Sequence, residues 1–433
     1  MTTRLILDAA LDPTGARIVV TRDPDGVISD AWFDMSGLPR VDTLLAGRPV
    51  AGVPALVERL CGVCPTAHHL AGIQALESLH GVGTIPPAAK LVRRLLHYGS
   101  VLDVHATRFG IGGPDVRPLR ALAKLAAVAA GSPGHFPVTA VVGGVAAPAT
   151  SEAVSRCRQA LPEALAAAES LARAALEHHA DSPDRAGVRA ASPAPFEGAD
   201  VALVDDAGTP DLLGSHLRAV GADGTVLVDR ADPTDWDTLV AEQVPGAAAP
   251  RPYLVNLGPE HGRYRVGPVA QLRVGPVGTA LAAGLQREWC AREAGALAAR
   301  ATMTVHVVEV IGGILDRVDP DDVEVVVAGA ARAPGAGTGV GWVDGARGLL
   351  VHRPEATASG MVRGAIVLTP TAQNEPWLAD LLRQAMGNAP DGPLTAGGLV
   401  EGAIRDVDPC LPCTAAPPGA MGIVVETVAR GGE

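Results

Sequence analysis

Aromatic residues are scarce in this chain: Phe, Trp and Tyr make up 3% of its 433 residues. The interior therefore has to be packed from Ala, Val, Leu and Gly, and at 48% hydrophobic there is ample material for a large core. Positive charge is short as well. Against 47 acidic residues stand 35 Lys and Arg, a formal charge of −12, which argues against a nucleic-acid partner because that would want a basic face. Long apolar runs are missing too. No stretch reaches the ~18 uninterrupted apolar residues of a membrane helix. The nearest, from Ala121 to Ala147, is broken by Lys124, Gly131, Pro133 and His135. The opening MTTRLILDAALD has no apolar region of the secretory kind. Six cysteines in so long a chain make no disulfide framework and read instead as metal or redox chemistry in a reducing compartment.

Four of those six cysteines form two C-x-x-C pairs, Cys61–Cys64 and Cys410–Cys413. Thiolates two residues apart can point at one centre, and two such pairs supply four soft ligands that suit zinc, iron or nickel. A zinc ribbon sets its knuckles roughly 15–20 residues apart. Here nearly the whole chain separates them, so both ends of a large domain must converge on one buried metal. That is costly for a staple and reasonable for a catalytic centre. Cys157 and Cys290 have no metal-spaced neighbour and read as small core residues.

The coarse pattern is mostly helical. Residues 4–33 read as a β-hairpin around a Pro-Asp-Gly turn at 24–26. Helices are expected from Val53 to Leu60, Thr66 to Leu79, Pro87 to about Arg108 and Ser151 to about Ala180. One very long helix is expected from Thr279 to Leu315, and another from Pro376 to Met386. Residues 181–255 change to short Val-rich runs between turns, a β-rich insertion. Val323–Val327 and Gly364–Leu368 read as strands. Gly335–Gly341 fails the G-x-G-x-x-G spacing and reads as a flexible turn. The expected class is α+β, mostly α: a long-helix bundle core with peripheral β structure in one domain, 1–433.

Arg59-Leu60-Cys61-Gly62-Val63-Cys64-Pro65-Thr66-Ala67-His68, with Asp408-Pro409-Cys410-Leu411-Pro412-Cys413, resembles the large subunit of nickel–iron hydrogenases, above all the soluble NAD-linked cytoplasmic branch. Asp344-Gly345-Ala346-Arg347-Gly348-Leu349-Leu350-Val351-His352 resembles the family's segment that holds an arginine over the open metal position. Thr369-Pro370-Thr371-Ala372-Gln373-Asn374 resembles the stretch lining the diatomic ligands, and Tyr264–Ala270 resembles a packing segment. The resemblance implies nickel, and iron carrying carbon monoxide and cyanide. It makes Cys61 and Cys410 terminal nickel ligands, Cys64 and Cys413 bridging ligands, and His68 a hydrogen-bond partner of a bridging thiolate. Arg347 would polarise dihydrogen, and Thr369, Pro370 and Thr371 would border the iron ligands. The implied partners are an iron–sulfur small subunit, since no cysteines remain for a cluster, then flavin and NAD diaphorase subunits and maturation chaperones. No nucleic acid and no direct membrane segment are expected, and the implied compartment is the cytoplasm.

Three departures stand out. Pro13, within Leu11-Asp12-Pro13-Thr14-Gly15, occupies the place of the family's proton-relaying glutamate, and proline cannot titrate. Asp42 replaces a glutamate and Ala416 a histidine of the family's magnesium site, which counts against magnesium. Residues 417–433 resemble the uncut maturation peptide. The ligands are kept and the relay is not. A slow hydrogen sensor is therefore a second reading, and a non-catalytic metal-binding scaffold a third.

Overall fold

The computed structural model describes residues 3–6, 17–23, 28–36, 41–59, 61–110, 113–181, 196–247, 249–330, 335–387, 397–411, 414, 421 and 424–429. Among these are eight helices of more than ten residues. In chain order they are α1 (Pro65–His80), α2 (Pro87–Thr107), α3 (Val116–Ala129), α4 (Ser151–Asp181), α5 (Ala280–Ala291), α6 (Ala296–Leu315), α7 (Glu375–Gly387) and α8 (Gly397–Val407). Helices α2, α3, α4 and α6 pack side by side as the bundle, and α5 lies against α6. Small residues set the spacing. A Cβ on Gly99 of α2 would stand 2.8 Å from the Cβ of Ala126 on α3. Helix α6 is apolar over most of its surface, long enough by composition to cross a membrane, yet it is the central core helix, with Met303, Val305, Val307, Val308 and Ile311 almost wholly buried.

The expected helix from Thr279 to Leu315 is two helices. Glu293 turns left-handed (φ 49°), and Gly295 opens α6 while its carbonyl accepts the Trp289 indole N–H at 3.2 Å. A strong apolar period on both sides hid the break. Val323–Val327 is no strand either. Val326 makes one isolated bridge to Gly144, and Val323 is 74% exposed. Among the described residues the remaining expected helices appear close to their expected places, with Gly81 (φ 67°) closing α1 as its left-handed cap.

The β structure is peripheral. Arg17–Arg22 and Ile28–Asp34 form the expected antiparallel pair; the turn at 24–26 lies outside the described residues. Val424–Ala429, from the chain end, lies between Thr3–Ile6 (antiparallel) and Arg17–Arg22 (parallel), completing a four-stranded sheet. The expected β-rich region supplies Ala199–Val204, His216–Val220 and Val226–Ala231, joined by Tyr264–Arg265. A third sheet is built on the hairpin Gly341–Gly345 and Gly348–Ala356, with Val362–Leu368 beside it. The Gly-rich stretch feeding this hairpin is a packing surface as well as a turn. A Cβ on Gly339 or Gly341 would run into the α1 backbone at Ala75 or Ala71.

Candidate metal centre

Two backbone features bring the distant cysteine motifs together. Pro65 starts α1, and Cys64 sits at its N-cap position, so the first pair lies at a helix N-terminus. Asp408 ends α8 in a left-handed turn (φ 51°), which throws Pro409–Leu411 back towards α1. The result is a cluster of sulfurs. Cys61 Sγ lies 2.6 Å from Cys64 Sγ and 3.3 Å from Cys410 Sγ, and Cys64 lies 3.8 Å from Cys410. The Cys64 amide donates to Cys61 Sγ at 3.2 Å, and the Cys410 amide donates to Thr371 Oγ1 at 2.8 Å. Cys413 lies outside the described residues, as do Pro13 and Ala416. The described cluster thus holds the sulfurs of Cys61, Cys64 and Cys410.

The sulfurs share their protons unequally. Hydrogen bonds from Cys410 and Cys64 hold the Cys61 thiol well below its ordinary range, while the same contacts and burial push Cys64 up. Close thiols that cannot all ionise are what a soft cation relieves, because the metal replaces the shared protons.

His68 is buried one turn along α1 and within 4.8 Å of Cys61 and Cys64 by its ring atoms. Its Nδ1 meets His352 Nε2 at 3.0 Å, and burial draws its pKa down to about 4. His69 is more than an ordinary helix residue. It bonds Glu58 at 3.1 Å and accepts the Ala140 amide at 3.1 Å, tying the approach to Cys61 onto α1.

Arg347 stands at the tip of the Gly341–Ala356 hairpin. His97 and His105, both on α2, bond the Asp344 and Ala346 carbonyls at 2.9 and 3.1 Å, pinning that tip. The Tyr264–Ala270 segment closes it from the other side: a Cβ on Gly267 would lie 2.7 Å from the Arg347 carbonyl. Burial opposes the Arg347 charge, but Asp408 and then the sulfurs of Cys410, Cys64 and Cys61 more than offset it, raising its pKa. Its Nη2 is buried without a hydrogen-bond partner among the described residues.

Sequence reasoning missed the partner of Arg347. Asp408 takes ion pairs from Arg108 at 2.8 Å, Arg300 at 3.3 Å and Arg347 at 3.2 Å, and is 2% exposed. The signal was present in the Asp-Pro before Cys410, but Arg108 and Arg300 carry no motif of their own. Arg108 also donates to the Thr414 carbonyl at 2.7 Å, anchoring the second cysteine stretch to α2. Thr369 caps the short helix Pro370–Gln373 through the Ala372 amide, which presents Thr371 to Cys410. Of the two leftover cysteines, Cys157 is in the core as expected, whereas Cys290 is exposed. Asp42 is described on the short helix Val41–Leu45; burial raises the pKa of Glu242, and the Asp42 charge adds a smaller push.

Comparison with known proteins agrees with this geometry. Residues 40–110 match the family model for nickel-dependent hydrogenase. The chain is 28% identical to a chain of the F420-non-reducing vhu hydrogenase of Methanocaldococcus jannaschii, over 85% of this chain and 95% of that protein. It is 26% identical to the beta chain of the NAD-reducing hydrogenase HoxS of Cupriavidus necator, covering 98% and 97%. The crystal structure of an NAD+-reducing [NiFe]-hydrogenase in the H2-reduced state superposes with a TM-score of 0.82 at 26% identity, over 96% and 99% of the two chains. The Ni-Fe-Se hydrogenase from D. vulgaris Hildenborough shares the fold, with a TM-score of 0.64 at 18% identity. Over nearly its whole length, converging cysteines included, the chain is similar to large subunits of nickel-dependent hydrogenases.

Proposed function

We propose that this chain is the catalytic large subunit of a nickel–iron hydrogenase, converting dihydrogen reversibly to two protons and two electrons. The observation that carries the reading is the meeting of three sulfurs, from Cys61, Cys64 and Cys410, beside a buried arginine with an unpartnered nitrogen. Soft donors at these distances fit nickel and iron, and Cys413 would complete the set. A nickel–iron centre carrying carbon monoxide and cyanide would supply an open position for heterolytic splitting of dihydrogen. The chain's own residues would do the rest. Arg347, paired with Asp408, would hold a permanent positive charge beside that position. His68, held by His352 and within 4.8 Å of the Cys61 and Cys64 sulfurs, would orient those thiolates. Thr371 fixes the Cys410 backbone, and with Thr369 and Pro370 it would border the iron side.

Electrons would leave through an iron–sulfur small subunit to reach a flavin partner and NAD, with the complex in the cytoplasm and assembled by maturation chaperones. The chain's surface supports a partner beside the site. Val63 in the cysteine loop is 41% exposed, Phe136 40% and Val138 68%, and Arg59 stacks over Phe136 at 5.3 Å. Such an apolar face beside half-buried cysteines suits a covering subunit. The chain would form one large-subunit unit, with an insertion at about 181–255 and a tail from 417 akin to a maturation peptide. Magnesium is not part of the proposal, given Asp42 and Ala416.

The test is elemental analysis with infrared spectroscopy on the purified complex. Equimolar nickel and iron with carbonyl and cyanide stretches is expected; zinc alone would leave only a scaffold. A hydrogen-sensing relative is the second reading, favoured by Pro13 in the relay position. Hydrogen–deuterium exchange at a small fraction of enzyme rates would select it.

A further inference from the structure

A small cavity lies behind the Arg347 tip. Three charged residues, Arg300, Arg347 and Asp406, share its lining with Val266, Pro268 and Trp377. Each comes from a different element: Arg300 from α6, Arg347 from the hairpin, Asp406 from the last turn of α8. The two arginines are already committed to Asp408. Asp406 is not. Among the described residues its carboxylate makes no ion pair within 4 Å, and the residue keeps partial surface exposure, unlike Asp408. It therefore stands between the fully buried Asp408 and the partly exposed last turn of α8.

We infer that Asp406 is the proton carrier of this site, taking the place of the glutamate that the chain lacks at Pro13. This rests on the hydrogenase reading. Each dihydrogen consumed yields two protons and two electrons; the electrons leave through the iron–sulfur partner, and the protons must cross the protein. One proton at a time crosses the cavity by way of a water molecule and binds an Asp406 carboxylate oxygen. The resulting acid releases it to bulk solvent, and the carboxylate is restored. Arg347 and Arg300 stay protonated throughout, because guanidinium does not release its proton in this range.

The charges facing Asp406 fit this role. Arg300 on α6 stabilises the carboxylate, Arg347 on the hairpin adds positive charge, and Asp408 on its own loop offsets both. Trp377, from α7, is neutral, and Arg405 on α8 is occupied by Glu401. Burial outweighs the pull of Arg300 and brings Asp406 up to about 6. A group near the working pH both accepts and releases protons readily.

The test uses the complete nickel-loaded complex and its Asp406→Asn and Asp406→Glu forms. For Asp406→Asn the expected result is a fall in hydrogen oxidation of about tenfold or more. Its solvent deuterium isotope effect should rise, and its nickel, carbonyl and cyanide signals should match the parent protein. Asp406→Glu should recover most of the rate with a shifted pH profile. In infrared titration of the unmodified complex, a protonated-carboxyl band should appear as pH falls through about 6 and be lost in Asp406→Asn. A carboxylate that only balances the charge of Arg300 would alter stability without moving the isotope effect. A nickel-loaded Asp406→Asn form with parental rate and isotope effect overturns the inference while leaving the hydrogenase reading intact. A parent protein without nickel overturns both. Should Asp406→Asn fail to fold, Asp406→Glu must still move the carboxyl band and the pH profile, and unchanged values overturn the inference.

Discussion

Asp408 is the residue on which the site's charges balance. Three arginines meet its carboxylate at 2.8 to 3.3 Å in a place with almost no exposure. Removing one partner of a buried ion cluster leaves the others uncompensated, at a cost of about 3–5 kcal/mol. Asp408→Asn should therefore lower the urea midpoint sharply; a loss under about 1 kcal/mol would contradict the geometry. Arg347→Lys asks a different question. Lysine keeps the charge but cannot reproduce the planar fork. Hydrogen-dependent dye reduction should fall by roughly a hundredfold with nickel content unchanged, and an unaltered rate would remove Arg347 from the mechanism. Cys410→Ala should abolish nickel retention, measured by elemental analysis, because it deletes the sulfur that links the two chain ends.

Elements position these residues through close backbone approach. The hairpin tip fits only because glycines face each other across it. Gly348 adopts φ 122°, and a Cβ there would meet the Val266 side chain and lie 2.6 Å from the Gly267 nitrogen. Gly348→Ala should cost about 1–3 kcal/mol or more, through strain and overpacking together. Because Arg347 is the preceding residue, activity should drop along with the melting temperature. A variant that melts like the parent would mean the hairpin can yield without loss. The same logic explains Gly339 and Gly341, which let the hairpin backbone lie against α1. Read from the sequence as a flexible turn, this glycine-rich stretch serves close packing as well.

On the scale of the whole molecule, buried imidazoles dominate the response to pH. Burial lowers His69, His97 and His306 from 6.5 to about 4 and His105 to about 3. In the unfolded chain these groups take up protons below 6.5; in the fold they do not. Their contribution is complete above 6.5 and disappears as pH falls towards 4 and 3. Asp344, raised to about 7, and Asp406 at about 6 act in the opposite sense. They favour the fold at low pH and lose that advantage as pH rises through 6 and 7. With His68 and His352 also lowered and Glu58, Glu242 and Glu375 also raised, six imidazoles stand against five carboxyls among the described residues, so stability should decline below pH 6.5, by about 1 kcal/mol per pH unit. Urea midpoints at pH 8, 6.5 and 5 would measure it, and a midpoint that rose on acidification would refute the sign.

The chain's chemistry was legible from residue identity. Paired thiols at both ends, His68 at its offset from Cys64, and Arg347 in its segment are local patterns, and the metal preference of sulfur follows from the element itself. Helix positions were legible too, because an apolar period of three to four residues needs no partner to be recognised. What only the tertiary structure decided is who meets whom. The carboxylate of Asp408, the arginines of α2 and α6, and the histidines that pin the hairpin are far apart in sequence and carry no spacing signal. The break at 292–295 was hidden for a related reason: an amphipathic period continues across it, and only packing of α5 against α6 requires the chain to turn there. A sequence records the groups that can react, while the distances that make them react come from the packing of the whole chain.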